Sequence, residues 1–456
     1  MENKRTSLTE GTIWKNIIMF ALPIFLGNVF QQLYNTMDSL IVGKFIDSDA
    51  LAAVSSSGTL IFLLVGFFNG IALGAGVVIS KYFGAKDYDE MQDAIHTDIA
   101  FGIVAGVILT VVGVIFTPQI LVWMNTPQSV LPNSIVYFRT YFYGAIFVVL
   151  YNIFVGILQA VGDSRHPLYY LIFSSFVNVA LDILFVAKLK LGVGSAALAT
   201  VISQALSAIL CFIRLIRYDT VYKVHPSKIR FHKIMLGKII SLGLPSGVQN
   251  SIIAFANVIV QTNINAFEKN AVAGCGAYSK IEGFAFLPIT CFSMALTTFV
   301  GQNIGAKKYD RVKKGARFGI ICSIILAEVV GVIIFTLAPH LIALFNSEPE
   351  VIAFGTRQAK TEALFYFLLA FSHCIAGIMR GAGKATVPMF TMLLTWCGIR
   401  ITYISIMVKI IPEIGVIFWA YPLTWSLSSI IFLIYFLKAD WIHNFERQEQ
   451  KSLARN

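Results

Sequence analysis

Asp38 and Asp182 are carboxylates set into long apolar runs, and the residues spaced around them are of the kinds that hold a proton or a small cation. Asn28, Gln31, Asn35 and Asp38 recur at three- and four-residue intervals, which on a helix makes one stripe. Asn178 and Asp182 are i, i+4 neighbours, and Thr200, Ser203, Gln204 and Ser207 form a third polar face. A charged residue at mid-bilayer costs roughly 2.5–3.5 kcal/mol on insertion scales, so these groups should face one another rather than lipid. Two carboxylates in a low-dielectric pocket do not both ionise easily. They share a proton, or their oxygens close on a small hard cation beside an amide and a hydroxyl. Either event makes the conformation depend on an ion, as ion-coupled transport requires. The alternative for the same residues is a hydrogen-bonded network that ties three helices together.

The elements that position these groups are membrane spans. Of 456 residues, 57% are of the AVILMFWYC set and only 13% are charged, about half the ~25% usual in soluble proteins. Mean hydropathy is +0.75. So few charges cannot coat a soluble globule, and the chain reads as an all-α polytopic membrane protein. Apolar windows predict twelve helices, with cores at 14–37, 52–80, 95–117, 134–160, 168–187, 194–216, 235–263, 277–300, 316–338, 352–378, 387–408 and 415–437. Met1–Gly11 is polar and the first apolar stretch runs on into a full span, so no cleavable signal peptide is expected.

The net charge of +11 follows the topology. Twelve spans put both termini on one side. That side collects 25 Lys and Arg against 9 on the other, with Arg400 inside a span. The positive-inside rule then predicts cytoplasmic termini, in a bacterial inner membrane. The basic residues decorate short loops, so nucleic acid is not an expected partner; the partners are the bilayer and a small-molecule substrate, and the chain is expected to act as a monomer. Six Cys lie in or beside spans without C-x-x-C spacing, and read as small buried hydrophobes rather than as ligands or disulfides.

The chain is also a duplication. At a shift of 221 residues, Gly84-Ala85-Lys86 recurs as Gly305-Ala306-Lys307, Pro118 as Pro339, Asn125 as Asn346, Gly162 as Gly383 and Pro167 as Pro388. The expected domains are a six-helix lobe over 1–220 and a second over 221–456, joined by the basic segment 214–238. An even number of spans per half makes this a parallel repeat, the kind that supports two lobes rocking about a cavity. The acids were not duplicated: Asp38 maps to Ile259, Asn178 to Ile399, Asp182 to Tyr403 and Thr200 to Tyr421. That asymmetry favours a dedicated site in the first lobe. The second lobe carries Glu282, Glu328, Glu362, His373, Arg380 and Arg400, of which Glu282 and Arg400 are the first to test. Asn250, Asn257 and Gln261 make a stripe on the seventh helix. Together with Gln31, Asn35, Gln204, Glu282 and Arg400 they are candidate cavity lining. Pro23 removes a backbone hydrogen bond upstream of the first stripe and is a candidate hinge. His96 and Asp98, near a helix start, are expected to cap it or to lie at the surface.

These residues resemble the multidrug and toxic compound extrusion (MATE) family of ion-coupled antiporters. The resemblance runs through Leu22-Pro23, Gln31-Gln32-Leu33-Tyr34-Asn35, Asp38 and Ile41-Val42-Gly43. It continues through Tyr82-Phe83-Gly84-Ala85, Gln302-Asn303-Ile304-Gly305-Ala306, Asn178-x-x-x-Asp182 and Gly377-Ile378-Met379-Arg380-Gly381-Ala382-Gly383. It implies twelve helices in two lobes forming a V-shaped cleft. It also implies exchange of incoming H+ or Na+ for outgoing organic cations, with no other cofactor. The matching ion-site positions are Asp38, Asn178, Asp182 and Thr200, which would also be the ligands if the ion is Na+, and Pro23 matches the proline where the first helix is proposed to bend. Relatives of another subgroup have acids on the seventh and tenth helices, but this chain has none between Leu236 and Phe267. A flippase of lipid-linked substrates is the rival within the superfamily. A membrane enzyme lacks support, because no Walker-type loop, H-E-x-x-H or G-x-S-x-G is present.

Overall fold

The computed structural model describes residues 7–46, 48–123, 126 and 128–447. Asn125 and the tail beyond 447 lie outside them. Described residues form helices and turns. They comprise α1 (Ile13–Phe45), α2 (Ser48–Ala85), α3 (Tyr88–Trp123), α4 (Leu131–Tyr143), α5 (Ala145–Ala160), α6 (Arg165–Asp182) and α7 (Val193–Arg217). The second series is α8 (Lys233–Ile264), α9 (Lys269–Gly305), α10 (Tyr309–Ala343), α11 (Pro349–Glu362), α12 (Tyr366–Gly381), α13 (Thr386–Met392), α14 (Arg400–Ile410) and α15 (Gly415–Lys438). A 3₁₀ turn joins α11 to α12, and π-helical turns follow α6 (Ile183–Lys188) and α13 (Leu393–Ile399). Eleven segments are long and apolar enough to cross a membrane, and α4 with α5, bent by 49°, makes a twelfth. The bend falls at Gly144, where a Cβ would stand 2.3 Å from Val201 Cγ1, so close packing on α7 excludes a side chain there. On α3, the exposed Val104, Val107, Ile108, Val111 and Ile115 form the apolar face a lipid-contacting helix needs.

The duplication is visible in the backbone. Lys86 and Lys307 both adopt positive φ, at 59° and 56°, and Gly162 and Gly383 do so at 88° and 76°. Each position ends a helix with paired reverse hydrogen bonds. Lys86 N–H bonds to Phe83 O and Asp87 N–H to Tyr82 O; in the second copy Lys307 bonds to Ile304 O and Lys308 to Asn303 O. A left-handed residue other than glycine costs roughly 1–2 kcal/mol, and both copies carry that cost at the same place.

The chain divides into two compact units, one centred on Leu22–Gly247 and the other comprising Leu8–Ala21 with Val248–Asn456. Both α1 and α8 therefore contribute their first turns to one unit and the remainder to the other, and each changes membership close to a proline, Pro23 and Pro245. In the first unit Gly74 and Gly243 touch: a Cβ on Gly74 would lie 2.2 Å from Gly243 N. The connecting segment 218–232 is fastened to α3, with Gln92 donating to Val221 O at 2.7 Å and to Lys223 O at 3.1 Å. In the second unit, Arg311 donates to Leu8 O, Glu10 O and Gly11 O, while the Gln302 side chain accepts from Leu8 N–H. Its interior is tightened by α12, where Gly377 and Gly381 lie so near α9 that a Cβ would meet Ser293 O or Thr297 O at 2.4 Å.

Candidate functional site

Three helices of the first unit bring the sequence-predicted ion site together. On α1 the stripe runs Gln31, Tyr34, Asp38, and α6 ends on Asp182 with Asn178 one turn earlier. Thr200 and Gln204 project from α7. Asp38 is 7% exposed, Asn178 1%, Asp182 0% and Thr200 8%. Thr200 Oγ1 lies 3.2 Å from Asp38 Oδ2 and 3.2 Å from Ala196 O, so its one proton serves either acceptor. The Asp38 and Asp182 carboxyls stand within hydrogen-bonding reach of each other, a contact that holds only with a proton or a cation between them. Gln204 Nε2 donates to Tyr34 O–H at 3.1 Å, and Gln31 also reaches Tyr34.

The site is unusual for what it leaves unmatched. Asp38 Oδ1, both Asp182 oxygens and Asn178 Oδ1 are buried without a hydrogen-bond partner, as is Asn178 Nδ2. An orphaned buried polar group costs about 1–3 kcal/mol, so four such oxygens in one place ask for a positive guest. The donors are all oxygen, which suits a proton or an alkali cation. Among the described residues no group of three or more His, Cys, Asp or Glu is placed to hold a metal ion. A small cavity beside the acids is lined by Tyr34, Leu171, Ser174, Ser175, Asn178, Thr200, Ser203 and Gln204. Ser207 donates to Ser174, one of its lining residues, at 2.5 Å.

Other expected residues fall elsewhere. Asn35 is exposed on α1. In the second unit Asn257 is exposed, and Gln261 is spent on Asn265 at 2.8 Å. Pro23 is buried inside an unbroken α1. His96 and Asp98 are neither caps nor surface groups: they are 4% and 1% exposed. The reason is that α3 begins two turns earlier and the 218–232 segment folds over it. His96 Nδ1 bonds to Gln92 O at 2.7 Å, and His225 N–H donates to His96 Nε2 at 3.2 Å. Tyr34 was the site residue passed over, although its position four before Asp38 placed it on the stripe. Tyr137 of α4 is buried beside the acids and Tyr141 beside Tyr34; nothing in their spacing marks them.

The second unit holds a different cluster. Glu362 is fully buried at the end of α11, its Oε1 accepting from Gln358 at 2.9 Å and its Oε2 from Tyr278 at 3.3 Å. Tyr278 and Tyr366 hydroxyls meet at 2.8 Å. Glu282 on α9 reaches the Glu362 carboxyl, and its own Oε1 is buried without a partner. Arg400, 3% exposed, donates from Nε and Nη2 to Thr424 Oγ1 at 3.2 and 2.9 Å, with its guanidinium 4.4 Å from the Tyr421 ring centre.

Comparison with known proteins agrees with this architecture. A family model described as MatE matches residues 23–184 and again 245–405, so each half carries a copy. The chain belongs to the MatE family. Among curated relatives it is 28% identical to the probable multidrug resistance protein YoeA of Bacillus subtilis, over 94% of each chain. It is 24% identical to the multidrug export protein MepA of Staphylococcus aureus, covering 94% of this chain and 95% of that one. Among solved structures, an outward-facing multidrug resistance MATE transporter superposes with TM-score 0.89 at 20% identity, covering 95% of this chain and 98% of that one. A MOP superfamily transporter from Pyrococcus furiosus, described as having a binding pocket of reverse polarity, superposes at 0.88 and 20% identity over 94% and 96% of the chains. The MatE chain is thus a multi-pass membrane transporter.

Proposed function

We propose that this MatE protein exports small organic compounds, cationic and amphipathic, from the bacterial cytoplasm in exchange for H+ or Na+. The observation that carries the proposal is the Asp38–Asp182 contact with its unmatched buried oxygens. The coupling ion is part of the traffic: a proton would bridge the two carboxyls, and Na+ would take Asp38, Asp182, the Asn178 carbonyl and the Thr200 hydroxyl. Binding neutralises the pair and lets α1, α6 and α7 close together; emptying it drives them apart. Alternating access follows if that change is transmitted along α1 past Pro23, where one backbone hydrogen bond is missing. Both termini are cytoplasmic in this scheme, each chain carries its own site, and no bond chemistry is performed on the cargo. Relatives bearing multidrug export names support the choice of cargo.

The test is ethidium efflux from vesicles of defined orientation, under an imposed pH gradient and separately under a Na+ gradient. One gradient should drive transport, and Asp38→Asn or Asp182→Asn should abolish it in protein that still inserts and melts normally. Undiminished efflux from those variants would sink the proposal, and efflux driven by neither gradient would favour the flippase.

A further inference from the structure

The 218–232 segment and the first turns of α3 enclose a cavity of about 550 Å³, well apart in sequence from the Asp38–Asp182 pair. From α3 it is lined by Asp89, Gln92, Asp93 and His96, an i, i+3, i+4, i+7 row on one helix face. From the segment come Thr220, Lys223, His225, Lys228 and Arg230, and Val221 is the one apolar side chain among the described lining residues. Walls so polar do not suit an amphipathic cargo, whose pockets are mostly apolar. They are fixed in place by direct contacts. Gln92 Nε2 donates to Val221 O and Lys223 O, His225 N–H to His96 Nε2, and His232 N–H to Thr97 Oγ1 at 3.1 Å.

The charges of the lining sum formally to zero: Asp89, Asp93 and Asp219 against Lys223, Lys228 and Arg230. Asp219 pairs with Lys223 at 3.6 Å within the segment, and Asp93 meets His232 at 3.3 Å. Asp89 on α3, and Lys228 and Arg230 on the segment, are exposed and have no ion pair among the described residues. Two buried polar atoms are unmatched as well. Both Gln92 N–H groups are committed, which leaves its Oε1 without a donor, and Thr220 Oγ1 has no partner. A guest with separated charges that sum to zero fits such walls, since a net charge of either sign leaves one wall uncompensated. A phosphodiester of an amino alcohol meets that description. Its phosphate takes Lys228 and Arg230, while its ammonium donates to Asp89 and Gln92 Oε1.

Depth sets the source of that diester. The apolar core of α3 begins at residue 95, so at 1.5 Å per residue Asp93 and Asp89 stand about 3–9 Å beyond the hydrocarbon, at the level of the headgroups. The segment runs between the ends of α7 and α8, and beside it Tyr218, Phe231 and Ile234 are 48%, 48% and 67% exposed. Aromatic and aliphatic side chains at that level suit a glycerol backbone and the first methylenes of acyl chains. We infer that this cavity binds the headgroup of an ethanolamine phospholipid, phosphate on the basic segment and ammonium on the α3 carboxylate. Occupied, it clamps the segment joining the two repeats against α3. The site does not depend on the identity of the exported cargo or of the coupling ion.

The test is native mass spectrometry of the purified full chain in detergent, titrated separately with dioleoyl phosphatidylethanolamine, phosphatidylglycerol and phosphatidylcholine. Phosphatidylethanolamine should bind about tenfold more tightly than either, because phosphatidylglycerol lacks the ammonium and phosphatidylcholine lacks its N–H donors. Lys228→Gln/Arg230→Gln should weaken it about tenfold, and Asp89→Lys should turn the preference toward phosphatidylglycerol. These side chains are exposed, so the substitutions leave the fold intact. Lys313→Gln/Lys314→Gln, also exposed, is the control on α10 and should change nothing. Glycerophosphoethanolamine is the soluble arm and should bind at least about tenfold more weakly than the lipid. No binding, equal binding of the three lipids, a preference of the unmodified chain for phosphatidylglycerol, an equal loss in the control, or a soluble diester as tight as the lipid would each overturn the inference.

Discussion

The fifth span of each repeat carries a π-helical turn, but the two turns serve opposite charges. In the first unit the turn begins at Ile183, directly after Asp182. In the second it ends at Ile399, directly before Arg400. A π turn adds a residue to the helix and re-aims the side chain next to it, which is why such turns gather at functional sites. Duplication preserved the positions where the backbone is demanding, the left-handed Lys86 and Lys307 and the glycines Gly162 and Gly383. It did not preserve the polar cargo of the spans. One unit holds the acid pair Asp38 and Asp182; the other holds the acid pair Glu282 and Glu362 beside a base, Arg400. Turns are constrained by chain geometry and so resist divergence, whereas a side chain on a helix face is free to change until it acquires a partner.

The sharpest way to break this comparison is by flux. Asp182→Asn is expected to cut ion-driven efflux in vesicles by about a hundredfold or more, the scale of losing a charge-dependent step, while Glu362→Gln leaves it within about tenfold. Equal losses would show that the units are not specialised. Next in size is Arg400→Met. It strips the counter-charge from Glu282 and Glu362 and should cost about 3–5 kcal/mol, read as a lower thermal unfolding midpoint. Adding Glu362→Gln should recover part of that loss.

Close packing gives a smaller effect in both units. Gly74→Ala places a Cβ 2.2 Å from Gly243 N, and Gly381→Ala places one 2.4 Å from Thr297 O. Each should destabilise by about 1–3 kcal/mol, whereas Gly237→Ala, with nothing within 4 Å, should not destabilise. Thr200→Val removes the hydroxyl facing Asp38 and keeps the shape; about 1 kcal/mol, or roughly fivefold in the half-saturating ion concentration, is expected. The smallest effect lies outside both clusters. Asp440 is exposed beyond α15, and the hydrogen bond with His443 holds its carboxyl below the usual range. Its contribution is therefore present above the ordinary carboxylate value and lost as pH falls through the lowered one. Solvent screening keeps it under about 0.5 kcal/mol, so Asp440→Asn should move the unfolding midpoint by about 1 °C or less at neutral pH.

Much of this was legible in the chain. Apolar length marks spans, because a helix must hide its backbone from lipid over about 20 residues. A constant shift between matching turns marks duplication. Polar stripes at helical spacing mark faces that avoid lipid, and Asp38, Asn178, Asp182 and Thr200 converge as that spacing implies. The burial of His96 was not legible, because it depends on a segment more than 120 residues away folding over α3. Nor was the second cluster: Glu282, Glu362 and Arg400 lie on three helices with no common stripe.

Composition and periodicity, then, determined by themselves that the protein spans a membrane in two related halves, since lipid imposes those constraints locally along each helix. Which acids stand side by side, which arginine rests on which ring, and where a helix changes units were decided only by tertiary structure. Those outcomes depend on side chains meeting at distances of a few ångströms across helices that the sequence places far apart.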